Sequence, residues 1–183
     1  MTAGRGVRHS EFNLEKEKGL RFIQSWIVPR REGFVPRYGS FDPAHYGGVK
    51  RGSEDAFTAR NKWRHLVSDT QDESNDALIR IEQDANMFVI EMDADQTVDF
   101  LIKDDRMAYI LCVEGSVKLT CAESGNEVIL QRHDGCEITP GGSDNTTLAF
   151  NAIGSEEVEG SEIAAHVLMF EMALVDGSGR SDF

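Results

Sequence analysis

The sequence has few cysteines and no long apolar run, and each scarcity excludes a class of protein. Its three cysteines are odd in number and form no Cys-x-x-Cys pair, which argues against a disulfide framework and a zinc site. No apolar run approaches the roughly 18 residues of a membrane span, and residues 1–20 contain no apolar core of a signal peptide. We therefore expect a cytoplasmic protein with reduced thiols, or a nuclear one if the source is eukaryotic.

Basic residues are also scarce, but only in the second part of the chain. Residues 1–66 contain 13 Lys and Arg against 7 Asp and Glu, whereas residues 67–183 contain 6 against 25, and the whole chain carries −13. This balance argues against direct binding to nucleic acid, and no membrane partner is expected. The basic part is either a solvated face or a surface that docks on an acidic partner, including the second part itself. The sequence favours the solvated face.

Polar turns separate short apolar stretches through most of the chain, which is typical of an all-β protein. The alternating stretch LRFIQSWIVP predicts a strand that ends at Pro29 and has one face formed by Phe22, Gln24, Trp26 and Val28. Residues 39–60 are rich in glycine and lack a period, which indicates a connection between two units. Further short strands follow at regular spacing: KWRHLVS, ALIRIE, NMFVIEM, TVDFLI, RMAYILCVEG, SVKLTC, EVILQ, CEITP, TTLAFNA and AAHVLMFEMAL. Without βαβ alternation or a long helix, this pattern predicts a sandwich or small barrel.

Two candidate metal ligands, His9 and Glu11, stand two residues apart. In a strand both side chains would project from the same face, and an imidazole nitrogen with a carboxylate oxygen suits Fe(II) and related ions. On spacing alone, a chance pair on a surface strand explains the motif about as well as a ligand pair. The remaining histidines form no His-x-His pair: His45, His65, His133 and His166.

The stretch MTAGRGVRHSEFN, followed by FIQSWIVP, resembles the pirin family, which includes bacterial quercetin 2,3-dioxygenase-like proteins. The resemblance continues in KWRHLVSD, IRIEQDANMFV and RMAYILCVEGSV, and it covers nearly the whole chain. It implies an all-β bicupin built from jelly-roll barrels (double-stranded β-helices). Residues 1–45 would be the C-terminal part of an incomplete N-terminal cupin domain, residues 46–61 a connecting segment, and residues 62–183 the C-terminal cupin domain.

In that family the N-terminal cupin holds a metal, usually iron, through three histidines and one glutamate. The match to the motif HSE implies that His9 and Glu11 are metal ligands, that Asn13 lies nearby, and that Glu11 also accepts the proton of a substrate hydroxyl. The implied cofactor is Fe(II) or another divalent transition metal, and the implied substrate is a flavonol-like small molecule cleaved by O2. The family's His-x-His pair falls upstream of the motif that begins at Met1, so we expect an incomplete metal site and weak or absent dioxygenase activity.

The second barrel offers no replacement for the missing ligands. When the general cupin motif is anchored on Gly115, its glutamate position is Ala108 and its His-x-His positions fall among residues 101–104, which contain no histidine. The second motif aligns on Pro140-Gly141-Gly142 and places Asn145 at its histidine position. The resemblance therefore implies that this barrel is structural or a small-molecule pocket.

Two other interpretations remain open beside the enzyme. Some pirins are metal-dependent transcriptional co-regulators, which implies a non-catalytic regulatory or binding protein with a protein partner. Alternatively, the chain is a folded C-terminal cupin with an incomplete first barrel. In that case strands that have lost their neighbours expose edges, which favours a homodimer.

Overall fold

The structure, a computed structural model, describes residues 1–13, 16–17, 19–37, 58–75, 77, 79–139, 144–153 and 163–174. Within these residues it contains nine β-strands and no helix, so the all-β prediction is confirmed. The strands are β1 (Arg64–Asp69), β2 (Ile79–Ile81), β3 (Ala85–Met92), β4 (Thr97–Ile102), β5 (Arg106–Cys121), β6 (Glu127–Gln131), β7 (Gly135–Ile138), β8 (Thr146–Ala152) and β9 (Ala165–Ala173).

Strand β5 organises the sheet because each of its halves pairs with a strand on either side. The strand order is β2-β1-β3-β9-β5-β8-β4, and β6 and β7 also pair with β5. The first half of β5 pairs with β9 and β7, and the second half pairs with β8 and β6, all antiparallel. The sheet therefore folds over at the middle of β5, and its two parts enclose the core.

Gly115 lies at the bend of β5, where the sequence predicts two strands separated by a turn. The structure has one continuous strand here, so the prediction of two strands with a turn between them is wrong. Gly115 has a φ of +73°, and a Cβ atom at this position would lie 1.8 Å from the carbonyl oxygen of Ala164. That oxygen accepts a hydrogen bond from the N–H of Ser116 at 3.2 Å. The bend therefore requires glycine both for its backbone conformation and for the close approach of β9.

The main core lies between the two parts of the sheet. Alternate residues of each strand point inward, as the two-residue period of a β-strand requires. Phe150, Ile90 and Met92 are completely buried. Other members of this cluster include Ile102, Ala108, Ile110, Cys112, Val117, Leu148, Val167 and Met169. Apolar burial of this extent is the main favourable contribution to folding.

The alternating stretch at residues 20–29 does not form a strand, so that prediction is wrong. Its apolar side chains are exposed instead, and Trp26 is 79% accessible. A strand needs a neighbouring strand to satisfy its backbone groups, and within the described residues none pairs with this stretch.

Most of the predicted connection lies outside the described residues, because residues 38–57 are not described. The predicted boundaries 1–45, 46–61 and 62–183 therefore stay predictions. In the part of the chain that the structure describes, there is no helix long and apolar enough to cross a membrane.

Candidate metal centre

A glycine turn precedes the candidate ligands. The N–H of Gly6 donates to the carbonyl of Ala3 at 2.8 Å, and Gly4 has a φ of +50°. Thr2 exchanges two backbone hydrogen bonds with Arg37, at 2.9 and 3.0 Å. The turn therefore fixes the start of the chain against residues 34–37, and residues 7–13 lead away from it.

His9 and Glu11 lie close together at the surface. The Nε2 atom of His9 is 3.7 Å from Oε1 of Glu11, and the two side chains are 30% and 46% exposed. Residues 7–13 form no strand, so the same-face argument for a strand does not explain why the side chains converge. The two groups are nevertheless near enough to contact one ion, with both donors open to solvent.

Among the residues that the structure describes, no third His, Cys, Asp or Glu donor joins this pair. Among the described residues, no group of three or more His, Cys, Asp or Glu side chains is placed to hold a metal ion. His45 lies outside the described residues. Asn13 makes interactions of its own, and an amide oxygen is a ligand suited to harder cations than iron. The described donor set is therefore one imidazole and one carboxylate, which is fewer than the three protein ligands of open catalytic metal sites.

The other described histidines have different environments. The ring of His65 stacks on Phe88 with centroids 4.3 Å apart, and its Nε2 donates to Oδ1 of Asn86 at 3.0 Å. His133 follows β6 with a φ of +73°. Burial lowers the pKa of the His166 imidazole, although the carboxylate of Glu91 on β3 opposes this shift.

The metal-ligand positions of the second barrel are occupied by core or turn residues. Ala108, at the glutamate position, is completely buried, as is Ile102 among the His-x-His positions. The side chain of Asn145, at the position of the last histidine, accepts a hydrogen bond from the N–H of Asp104 at 3.2 Å. The turns at residues 104 and 145 therefore lie beside each other, as the aligned ligand positions of the motif would. An amide side chain, not a histidine, joins them. Pro140, Gly141 and Gly142 lie outside the described residues.

A cleft of about 540 Å³ opens at one edge of this barrel, between β6 and β7. Leu119, Leu148 and Ile138 are among the apolar residues that line it, and its polar lining includes carboxylates such as Glu123 and Glu137. The sequence analysis allowed for a small-molecule pocket in this domain but did not identify these residues.

A buried ionic cluster at the inner face of the sheet is also absent from the sequence predictions. Arg106 on β5 donates to both carboxylate oxygens of Glu171 on β9, at 2.8 and 3.1 Å, and to both oxygens of Asp84, at 2.7 and 2.8 Å. Asn86 donates to Glu171 at 2.6 Å. The available signal was that Arg106 and Glu171 fall at inward positions of otherwise apolar strands.

The basic first part of the chain contacts the acidic β-domain, which is the part of the chain that contains β1 to β9 (residues 64–173). Arg21 pairs with Glu114, and Arg30 pairs with Asp69. Arg37 lies 3.5 Å from Glu82. Burial works to raise the pKa of Asp69, but the hydrogen bonds from Arg30 and from the N–H of Gln71 outweigh it and hold the pKa below its usual value. These arginines therefore dock on acidic residues of the same chain, whereas the charge pattern of the sequence favoured a solvated face.

A curled antiparallel sheet that folds over one apolar core is the architecture of a cupin, and comparisons with known proteins identify the class. Residues 66–172 match the family model of the quercetinase C-terminal cupin domain. The chain therefore belongs to the pirin family of cupins.

Relatives and solved structures agree with this assignment. The chain is 30% identical over 166 residues to a Pseudomonas aeruginosa protein provisionally named quercetin 2,3-dioxygenase, and 30% identical over 160 residues to a pirin-like protein of Caulobacter vibrioides. These matches cover 90% and 86% of this chain but 60% and 58% of the relatives. It is 28% identical over 119 residues to quercetin 2,3-dioxygenase of Escherichia coli, covering 65% of this chain and 44% of that protein.

The fold is similar to that of bacterial pirin YhhW from Escherichia coli. The structure of YhhW with nickel(II) matches with a TM-score of 0.53 at 20% identity, over 82% of this chain and 49% of that chain. The chain thus spans about half the length of the relatives and structures it matches.

Proposed function

We propose that this protein is a metal-dependent oxidoreductase of the quercetin 2,3-dioxygenase type that acts on a flavonol-like substrate. Membership of the pirin family supports the reaction class. The observation that carries the assignment of the site is the pair of His9 and Glu11, with Nε2 and Oε1 3.7 Å apart at the motif HSE. We also propose a cytoplasmic location, where the three free cysteines would stay reduced.

The proposed metal is Fe(II) or another divalent transition ion. The nickel(II) complex of YhhW supports a divalent ion in a structural relative, and an imidazole with a carboxylate is a donor set suited to such ions. Within the described residues the two donors do not complete a site, so we assign weak metal binding and little turnover to the 183-residue chain. Glu11 is the carboxylate that we assign to accept the proton of a substrate hydroxyl, because it is solvent-accessible and beside His9.

Iron retention by the purified chain tests the ligand assignment. Apoprotein is incubated with Fe(II) under anaerobic conditions, desalted and analysed for iron, beside His9→Ala, Glu11→Ala and the control His133→Asn. We expect retention well below one iron per chain, a further loss in His9→Ala and Glu11→Ala, and no change in the control. Equal retention by all four proteins would show that His9 and Glu11 are not ligands.

Oxygen consumption with quercetin then tests the activity. We expect a rate close to that of free iron in the same buffer. Tightly held stoichiometric iron that is lost in His9→Ala, with oxygen uptake well above this background, would refute the assignment of a weak site.

A second candidate function is a non-catalytic binding protein. It is favoured by the apolar residues at the ligand positions of the second barrel and by the cleft between β6 and β7. Quercetin binding that is measured by fluorescence in metal-free protein, and that is unchanged in His9→Ala and Glu11→Ala, would favour this function over the enzyme.

A further inference from the structure

The cleft between β6 and β7 has an apolar floor. Leu119 on β5 and Leu148 on β8 line it, and both belong to the main core, where each is 2% exposed. Val128 on β6 and Ile138 on β7 contribute further apolar surface. The cleft volume of about 540 Å³ lies within the range of about 300–1,000 Å³ that small-molecule sites occupy. A small organic molecule with an apolar body therefore fits against this floor.

The β-domain forms the walls of this cleft. All described lining residues lie between residues 119 and 148, so the lining comes from β5 to β8 and the turns beside them. Strand β6 pairs with the second half of β5, whereas β7 pairs with the first half. The cleft therefore lies between the two parts of the folded sheet, and its concave shape does not depend on the residues before β1.

The charged part of the lining has one sign. Its charged side chains are all carboxylates: Glu123, Glu127, Glu137 and Asp144. No Lys, Arg or His is among the described lining residues. Lys118, which lies outside the lining, pairs with Glu127 at 3.2 Å, and within the described residues no basic side chain pairs with the other three carboxylates. The cleft therefore attracts cations and repels anions.

The carboxylate of Glu123 is held in place by backbone. The N–H of Thr147 donates to both of its oxygens, at 2.9 and 3.1 Å, and the Sγ of Cys121 donates to Oε2 at 3.4 Å. The hydrogen bond from Thr147 is the main reason that the pKa of Glu123 lies below its usual value. Glu123 therefore supplies a fixed negative charge to a cleft whose floor is apolar.

We propose that this cleft binds a small organic cation, a molecule that combines an apolar body with a protonated amine. The body packs against Leu119 and Leu148, and the ammonium group donates charge-assisted hydrogen bonds to carboxylates such as Glu123 and Glu137. A neutral molecule of the same shape lacks these bonds, and an anionic one is repelled. The inference rests on the cleft of the second candidate function, for which it names the ligand class, and not on the metal site.

Three probes of similar shape test the proposal by NMR titration of the metal-free, ¹⁵N-labelled chain near pH 7: tryptamine (cation), tryptophol (neutral) and indole-3-propionate (anion). We expect tryptamine to bind about fivefold more tightly than tryptophol, which is the factor that one exposed ion pair supplies, and indole-3-propionate to bind most weakly. Shifted amide signals should lie between residues 119 and 148. Salt at about 1 M in place of about 0.1 M should reduce the preference, because it shortens the Debye length from about 10 Å to about 3 Å. Absence of tryptamine binding, equal affinity for all three probes, or signal shifts confined to other residues would overturn the proposal.

Charge-neutralising variants locate the ammonium group. The double variant Glu123→Gln, Glu137→Gln should abolish the preference for tryptamine and leave tryptophol binding unchanged, and glutamine at residue 123 keeps an oxygen for the N–H of Thr147. The matched control is Asp99→Asn, which neutralises an exposed carboxylate on β4 outside the cleft and should keep the preference. His9→Ala should also keep it, so a failure of the metal assignment and a failure of this proposal give different results. An equal loss of preference in the double variant and in Asp99→Asn, or loss of tryptamine binding in His9→Ala, would overturn the proposal.

Discussion

Arg106 and Glu171 are buried charged residues on neighbouring strands of the sheet, at 8% and 7% exposure. Burial works to lower the pKa of Arg106, but the hydrogen bonds that its guanidinium donates to the carboxylates of Glu171 and Asp84 outweigh it and raise the pKa. Asn86 satisfies a further lone pair of Glu171. The cluster is stable because each buried charge has several partners, and the loss of one partner is therefore costly.

Replacing Arg106 with Met should destabilise the protein by about 3–5 kcal/mol, because Glu171 is left buried without its cation. Urea unfolding followed by circular dichroism measures the change. The matched control is Lys118→Met, which removes the exposed Lys118–Glu127 pair and should cost no more than about 1 kcal/mol. Similar losses in both variants would show that Arg106 acts as an ordinary surface charge.

The three cysteines differ in burial and should differ in reactivity. Cys112 is completely buried, and burial together with the charge of Asp134 raises its pKa to about 11. Burial also raises the pKa of Cys136. Cys121 is partly exposed.

At pH 8, iodoacetamide should therefore modify Cys121 first and leave Cys112 unmodified, because the thiolate is the reactive form. Mass spectrometry of peptides from a time course measures the order, and unfolding in urea should make all three sites reactive. Rapid modification of Cys112 in the folded protein would contradict its placement in the core.

At the scale of elements, the bend in β5 joins the two parts of the sheet. Gly115 permits it through its positive φ and through the absence of a Cβ atom beside Ala164. The sequence indicated a glycine turn here, but the residues on both sides have strand partners, so the chain continues in the same strand.

Gly115→Ala should destabilise the protein more than Gly125→Ala. Both residues have a similar φ, +73° and +70°, but only at Gly115 does a Cβ atom collide with backbone. The control should cost about 1–2 kcal/mol from backbone strain alone, and Gly115→Ala should exceed it, as measured by chemical unfolding. Equal costs would show that β9 moves away from the bend without penalty.

The strand predictions show what local pattern can and cannot decide. The stretches EVILQ, TTLAFNA and TVDFLI coincide with β6, β8 and β4, because short stretches rich in branched and aromatic residues and bounded by turn residues suit a strand. The same alternation at residues 20–29 failed. Alternation of apolar and polar residues shows that a stretch suits a sheet. It forms a strand only if another strand lies beside it to pair with.

At the scale of the molecule, the first 37 residues and the nine-stranded sheet should differ in stability. The sheet has a continuous core and a full hydrogen-bond ladder. The first residues are joined to it by ion pairs, of which the Arg21–Glu114 pair is largely exposed, and exposed pairs contribute little.

Amide hydrogen exchange should therefore show residues 1–37 opening before the strands between residues 64 and 173. Mass spectrometry of peptides resolves the two regions. Uniform protection across the chain would contradict this order and would mean that the first residues pair with structure not described above.

The sequence by itself determined the all-β class, most strand positions and the family, since these depend on local alternation, turn residues and motif identity. It also identified His9 and Glu11 as a candidate pair, but it did not predict the backbone geometry that brings their side chains together. Tertiary structure decided the rest. Three features depend on which distant strands become neighbours: the pairing of Arg106 with Glu171, the continuity of β5 through Gly115 and the exposure of residues 20–28. The local alternation of residues in a sequence does not specify such long-range pairing.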